Sequence, residues 1–156
     1  MKKILFAITL GAACIALPAS AQPYIGGGAG SANTDNVNTS MKVYAGYQLI
    51  PNFGFEGAYT DLGDYRGSTA TSISLALTGT LPLNATWDLL GKLGASRNQT
   101  GSSNSMEPLA SFGVGYNAST NIAVRLESEN LGKLPVDASG NSPVASNVGL
   151  SIKFMF

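Results

Sequence analysis

Val148-Gly149-Leu150-Ser151-Ile152-Lys153-Phe154-Met155-Phe156 closes the chain. Every even position in it is apolar, and the odd positions Gly149, Ser151 and Lys153 are tiny or polar, with Met155 alone breaking the rule. A strict period of two is a strand with one apolar and one wet face. The strand runs to the terminal residue and stops on an aromatic. Chain ends fray unless they are tied down, so this one is expected to close into a larger sheet, and the natural closed sheet with an apolar face is a barrel in an outer membrane.

The opposite end supports export. Lys2 and Lys3 precede an apolar core from Ile4 to Leu17, Pro18 breaks it, and Ala19-Ser20-Ala21 gives a small-x-small cleavage pattern. Residues 1–21 therefore read as a signal peptide and 22–156 as one barrel domain. The apolar run is shorter than the roughly 20 residues of a helical span. The lone cysteine, Cys14, lies inside it behind Gly11-Ala12-Ala13, a poor lipoprotein site. Cleavage after Ala21 leaves no cysteine, and with it no disulfide, thiol catalysis or cysteine–metal site. It also leaves seven basic and nine acidic residues, net −2, without a basic patch, which argues against nucleic acid as a partner. Charged residues make up 12% of the chain against about 25% in an ordinary soluble domain. Low charge with 19 glycines suits strands that face lipid on one side.

Eight alternating segments follow: Tyr24–Ser31, Met41–Leu49, Phe53–Leu62, Thr71–Leu81, Thr86–Ser96, Pro108–Tyr116, Asn121–Asn130 and Ser146–Phe156. The connections after the second, fourth and sixth are tight and built from Pro, Asn and Ser, residues that turns use. Those after the first, third, fifth and seventh read as long loops, Ala32–Ser40, Gly63–Ala70, Arg97–Glu107 and Leu131–Ala145. Eight is the strand number of the smallest outer-membrane barrels, which carry short turns on the periplasmic side and longer loops outside. The expected fold is all-β, an eight-stranded antiparallel up-and-down transmembrane barrel.

Each strand splits into two faces. Phe53, Phe55, Gly57 and Tyr59 oppose Gly54, Glu56, Ala58 and Thr60; Trp87, Leu89, Gly91, Leu93 and Ala95 oppose Asp88, Leu90, Lys92 and Gly94. Phe112, Val114 and Tyr116 oppose Ser111, Gly113 and Gly115; Ile122, Val124 and Leu126 oppose Ala123, Arg125, Glu127 and Glu129. A soluble lipocalin-like carrier would turn the charged face outward, but a soluble wall should be dense in charge, and here each strand offers one or two charges diluted with glycine. The charged face is therefore expected inside a narrow lumen. Tyr47, Phe53, Trp87, Tyr116, Phe154 and Phe156 are expected to form an aromatic girdle at the turn-side interface.

Several runs resemble the OmpA-like transmembrane domain. They are Tyr47-Gln48 with Pro51, Gly54-Phe55-Glu56 with Tyr59 and Leu62-Gly63, Leu81-Pro82 leading to Trp87-Asp88-Leu89, and Gly91-Lys92-Leu93-Gly94-Ala95. Gly113-Val114-Gly115-Tyr116 and Ile122-Ala123-Val124-Arg125-Leu126-Glu127 continue the likeness. Together these cover most of residues 24–156. The resemblance implies a monomeric eight-stranded barrel in a Gram-negative outer membrane, handled by the barrel-assembly machinery through the closing strand, with Phe154 and Phe156 as the assembly signal. The peptidoglycan-binding domain that many members carry is not expected after this barrel. The resemblance also implies a charged lumen linked to a gate for small ions, carried here by Glu56, Lys92, Arg125 and Glu127. The family's strand-four lysine falls on Thr78 and its strand-six glutamate on Gly115, so the usual gating pairs are incomplete.

Histidine is absent, which removes Ser–His and Asp–His arrangements and the commonest metal ligand. Asp61 and Asp64 read as a solvated turn rather than a catalytic pair. The Gly26–Gly30 run lacks the helix and lysine of a phosphate-binding loop. The cluster that carries a hypothesis is Glu56, Asp88, Lys92, Arg125, Glu127 and Lys153, expected to interlock as a structural polar core or to line a narrow ion path, because a buried charge is costly unless paired. The chain is expected to be non-enzymatic, without metal or cofactor, structural or surface-interacting in role. Its expected partners are outer-membrane lipid and lipopolysaccharide, with any surface ligand held by the outer loops.

Overall fold

The computed structural model describes residues 21–33, 37–65, 68–135, 140 and 142–156. The cleavable segment expected at 1–21 lies outside the described residues except for its last position. Eight strands follow in order: β1 (Gln22–Asn33), β2 (Val37–Ile50), β3 (Phe53–Tyr65), β4 (Ser68–Pro82), β5 (Trp87–Thr100), β6 (Ser103–Asn117), β7 (Ile122–Lys133) and β8 (Val144–Met155). Each pairs antiparallel with its neighbour, and β1 pairs with β8 from Tyr24↔Met155 to Asn33↔Ser146, so the sheet closes into a barrel. The chain end is held at the inner seam, where Met155 N–H donates to the Asn121 carbonyl at 2.8 Å and Phe156 N–H to that of Pro23 at 3.1 Å.

All eight expected strands are present, but they are longer than the alternation showed. β5 and β6 run on through the expected loop Arg97–Glu107 and meet at a two-residue turn, Gly101-Ser102, with Gly101 at φ +58°. Three residues separate β1 from β2 and two separate β3 from β4. Only between β7 and β8 does a long interval remain, ten residues from Leu134 to Pro143. The expectation of four long loops is thus corrected to one such interval. The physical reason is that ladders extend on main-chain bonds alone. Asn98, Gln99, Asn104 and Ser105 are polar on both faces, so no apolar alternation marks them as strand. The stretch Asp61–Asp64, expected to be a turn, is instead a bulge inside β3. Gly63 sits there at φ +78°, and its N–H donates to Asp61 Oδ1 at 2.9 Å.

The faces are as the charge count required. Leu77, Leu93, Phe112, Leu75 and Phe53 stand outward and exposed, while Glu56, Lys92, Arg125 and Glu127 are buried in the lumen. Short turns close the inner end, two of them tied by side chains. Asn84 Oδ1 accepts the N–H groups of Thr86 and Trp87 at 2.8 and 2.9 Å, and Ser119 Oγ accepts those of Asn121 and Ile122. Trp87 and Tyr116 pack edge-on with ring centroids 5.1 Å apart, and Tyr47 meets Phe55 at 5.8 Å.

Glycine makes the narrow wall possible. A Cβ on Gly28 would lie 2.1 Å from the Leu150 carbonyl oxygen, and one on Gly30 2.3 Å from that of Val148. Gly94 and Gly113 face the Leu75 and Leu126 carbonyls as closely. At these inward positions the neighbouring strand bends across the space a side chain would take. The outward Gly91 has nothing within 4 Å.

Candidate functional site: the charged lumen

Period two delivers one lumen residue per two positions, and closure brings distant strands face to face across the interior. Glu56 on β3 is the hub. Lys92 Nζ donates to its Oε1 at 2.6 Å, Arg125 to its Oε2 at 3.0 Å, and the Tyr24 hydroxyl to its Oε2 at 3.2 Å. Lys92 also lies 2.8 Å from Glu127 Oε1 and 2.9 Å from its Oε2. Lys42 on β2 bonds Glu129 Oε1 at 2.5 Å and stands 3.4 Å from Glu127 and 3.7 Å from Glu56. Three bases thus interlock with three acids, each at most 8% exposed. That pairing is what lets six ionised groups stay out of bulk water.

Aromatic rings fill the gaps. The Arg125 guanidinium sits 5.3 Å from the Tyr24 ring centroid and 5.6 Å from that of Tyr44, while Lys42 is 5.3 Å from Tyr44. These are cation–π distances. The rings need the glycines beside them, since a Cβ on Gly26 would strike the Tyr44 ring and one on Gly46 the Tyr24 ring.

Of the six residues singled out from sequence, four meet in this cluster: Glu56, Lys92, Arg125 and Glu127. Asp88 and Lys153 do not join its ion pairs. Asp88 accepts from Asn117 Nδ2 at 2.7 Å near the inner mouth, and Lys153 Nζ caps the Tyr24 ring at 5.1 Å. The physical reason is height, because both residues lie on the inner ends of their strands, below the hub. Lys42, Glu129, Tyr24 and Tyr44 were missed. Their signal was present: Lys42 and Tyr44 alternate with Met41 and Val43, and Glu129 continues the face of Glu127. Lys42 also supplies a second lysine where position 78 offers only a threonine.

Above the ions the lumen changes character. Ser40 donates to Asn147 Oδ1 at 2.5 Å, and Thr60, Ser72, Ser96 and Asn98 are buried at about that level. Higher still, Leu62, Leu131 and Leu134 are fully buried with Ala32, Ala70 and Ala145. β7 makes this cap by bending inward at a bulge after Asn130 while staying paired with β8, through Lys133↔Val144 and the Leu134 N–H on the Pro143 carbonyl at 2.9 Å. Beyond Asn130 its Leu131 carbonyl accepts from Asn98 Nδ2 at 2.7 Å and Ser96 Oγ at 2.6 Å, and its Lys133 carbonyl from Ser105 Oγ at 2.9 Å. Gly132, at φ +76°, permits the inward turn. Beside the ions, Gly28, Ser40, Lys42, Glu127 and Asn147 line a cavity of about 10 Å³, space for about one water.

Comparison with known proteins places this geometry. The model of the OmpA-like transmembrane domain matches residues 18–156. Among solved structures, the N-terminal β-barrel domain of Pseudomonas aeruginosa OprF aligns with a TM-score of 0.62 at 13% identity, covering 88% of this chain and 100% of that one. Neisserial surface protein A aligns at 0.60 and 16% identity, and Ail, the attachment invasion locus protein of Yersinia pestis, at 0.58 and 15%. Each covers 87% of this chain and 97% of the other. At such identities the likeness is one of fold. A comparison with curated proteins finds no match.

Proposed function

The chain belongs to the OmpA-like transmembrane domain family, and from that membership we propose that it serves as a non-enzymatic structural barrel of the outer membrane, closed to solutes, whose outer rim meets other molecules. The observation that carries this reading is the filled lumen. Three acids and three bases neutralise one another, an apolar cap lies above them, and the cavity at the cluster holds about one water. A soluble carrier is disfavoured by both the family and the faces. Such a protein needs an apolar interior for its ligand, whereas here the apolar side chains stand outside and the ions inside. The bilayer lipid, with lipopolysaccharide in its outer leaflet, is the solvent for that exterior. The closing strand, with Phe154 and Phe156 outward and exposed, is the segment offered to the assembly machinery.

Planar-bilayer recording of the purified barrel tests the closed lumen, and no unitary current steps are expected. A second reading, a low-conductance pore, draws on one feature: Lys42 lies within 4.0 Å of three carboxylates and has alternative partners. Steady current steps that vanish in a Lys42→Met variant would favour that reading.

A further inference from the structure

Among the described residues the ladder of the wall is interrupted at two places above the ion cluster, where β2 pairs with β3 only as far as Met41↔Asp61 and β6 with β7 only as far as Ala110↔Asn130. β6 pairs with β5 along its whole length, from Thr100↔Ser103 to Trp87↔Tyr116. With β7 it pairs only from Ala110↔Asn130 to Asn117↔Ala123. The outer half of β6 therefore has a partner on one side alone among the described residues. The cause is the inward turn of β7 at Gly132, which takes the next strand into the mouth to form the cap.

Ladder alternation says which groups are left over. Residues flanking a two-residue turn form a hydrogen-bonded pair, so Ser103 bonds to β5, as does every second residue after it. The Asn117 N–H, bonded to the Thr86 carbonyl at 2.7 Å, keeps the same parity at the far end. The even residues bond towards β7, and Ala110, Phe112, Val114 and Tyr116 face it. Asn104 and Met106 share that direction with no ladder partner among the described residues, while the Pro108 carbonyl faces Gly132 of β7. Two N–H groups and two carbonyls thus point sideways off the sheet. Pro108, which has no N–H to give, sits where its absence costs β5 nothing.

The height of this edge is set by register. Met106 is ten residues up β6 from the girdle residue Tyr116, a climb of roughly 25 Å at ordinary rise and tilt, the height of the apolar band. Unpaired main-chain groups are excluded from hydrocarbon, so the edge begins where lipid ends.

We infer that the outer half of β6 is a strand-addition site for an extended segment of a partner protein. Only an extended backbone matches sideways main-chain groups two residues apart. A second copy in the same membrane runs its own β6 in the same direction, so it cannot supply an antiparallel strand. The side chains narrow the partner further. Met106 is 76% exposed, and Arg97, its cross-strand neighbour on the outward face, is exposed and makes no ion pair among the described residues. The segment that fits is acidic and alternates with apolar residues. This inference rests on the reading that the rim is the outward-facing end.

The test uses the full-length barrel in nanodiscs and a fluorescent peptide of four Glu-Val repeats, with a Lys-Val peptide for comparison. Anisotropy should show saturable binding of the Glu-Val peptide, at least about tenfold weaker for Lys-Val and for a Met106→Pro barrel. Met106→Pro removes one sideways N–H and leaves the β5 ladder intact. Its unchanged gel mobility before boiling checks that the barrel is folded. Amide exchange at Asn104 and Met106 should be fast in the free protein and slow with peptide. Equal binding by wild type and Met106→Pro, or no binding by wild type, overturns the site. Binding to nanodiscs but not to intact cells overturns the orientation and not the edge.

Discussion

Arg125 is where the cost of a buried charge can be measured directly. Its guanidinium holds Glu56 Oε2 at 3.0 Å and lies against two tyrosine rings. Arg125→Ala leaves Glu56 with hydrogen-bonded Lys92 and the more distant Lys42 in place of three cations, and breaking such a buried pair costs about 3–5 kcal/mol. The adjacent Val124 faces lipid, and acyl chains refill the space it leaves, so Val124→Ala should cost less than about 1 kcal/mol. Urea unfolding of both variants in detergent compares them, and equal midpoints would mean that the ion cluster contributes nothing to stability. The four central charges were legible from sequence because each stood among small residues opposite an apolar neighbour. Asp88 and Lys153 passed the same test of face and failed on height, which period two does not encode. Tyr24 and Tyr44 were hidden because an aromatic on a strand reads as lipid-facing. Only the glycines opposite, at 46 and 26, reveal that the rings point inward.

Strands two positions apart in period but unequal in surroundings explain the element-level result. Within the bilayer, one face is lipid and one is lumen, so alternation is strict and the sequence marks the strand. Above it the outer face is wet and the inner face is polar, its Asn98 and Ser105 side chains donating to the β7 carbonyls, so Arg97–Thr100 and Ser103–Glu107 lose the signal while keeping the ladder. The β1 glycines carry a separate constraint. Gly28→Val drives its Cβ into the Leu150 carbonyl and should prevent closure against β8, a strain of about 3 kcal/mol or more. Gly91→Val meets open space on the lipid side and should fold. Heat-dependent gel mobility separates the two, the first staying in the unfolded position. The turn Gly101-Ser102 stands clear of the barrel, so a short Gly/Ser insertion there should leave the thermal midpoint within about 2 °C, as surface insertions do. The same insertion after Gly132 should lower it, because it unseats Leu134 from the cap.

As one molecule the barrel is an inverted globule, ionic within and apolar without. Its native state should survive cold dodecyl sulfate and migrate differently until boiled, a behaviour expected of a sheet with no free edge inside the bilayer. Removal of Phe156 takes away the Pro23 contact at the seam and one exposed aromatic of the closing strand. Spontaneous folding into liposomes should slow only slightly, whereas assembly in cells should fall by several-fold if the terminal strand is the segment read by the assembly machinery. The alternation that decides the architecture has a further consequence, for the journey rather than the destination. A chain bound for an outer membrane must first be threaded through an inner one, where a long greasy run would be released sideways and retained. Interleaving each lipid-facing residue with a glycine, serine or charge keeps every stretch of the mature strands too mild to be caught. The greasy surface comes into being only when the pleat sorts odd from even.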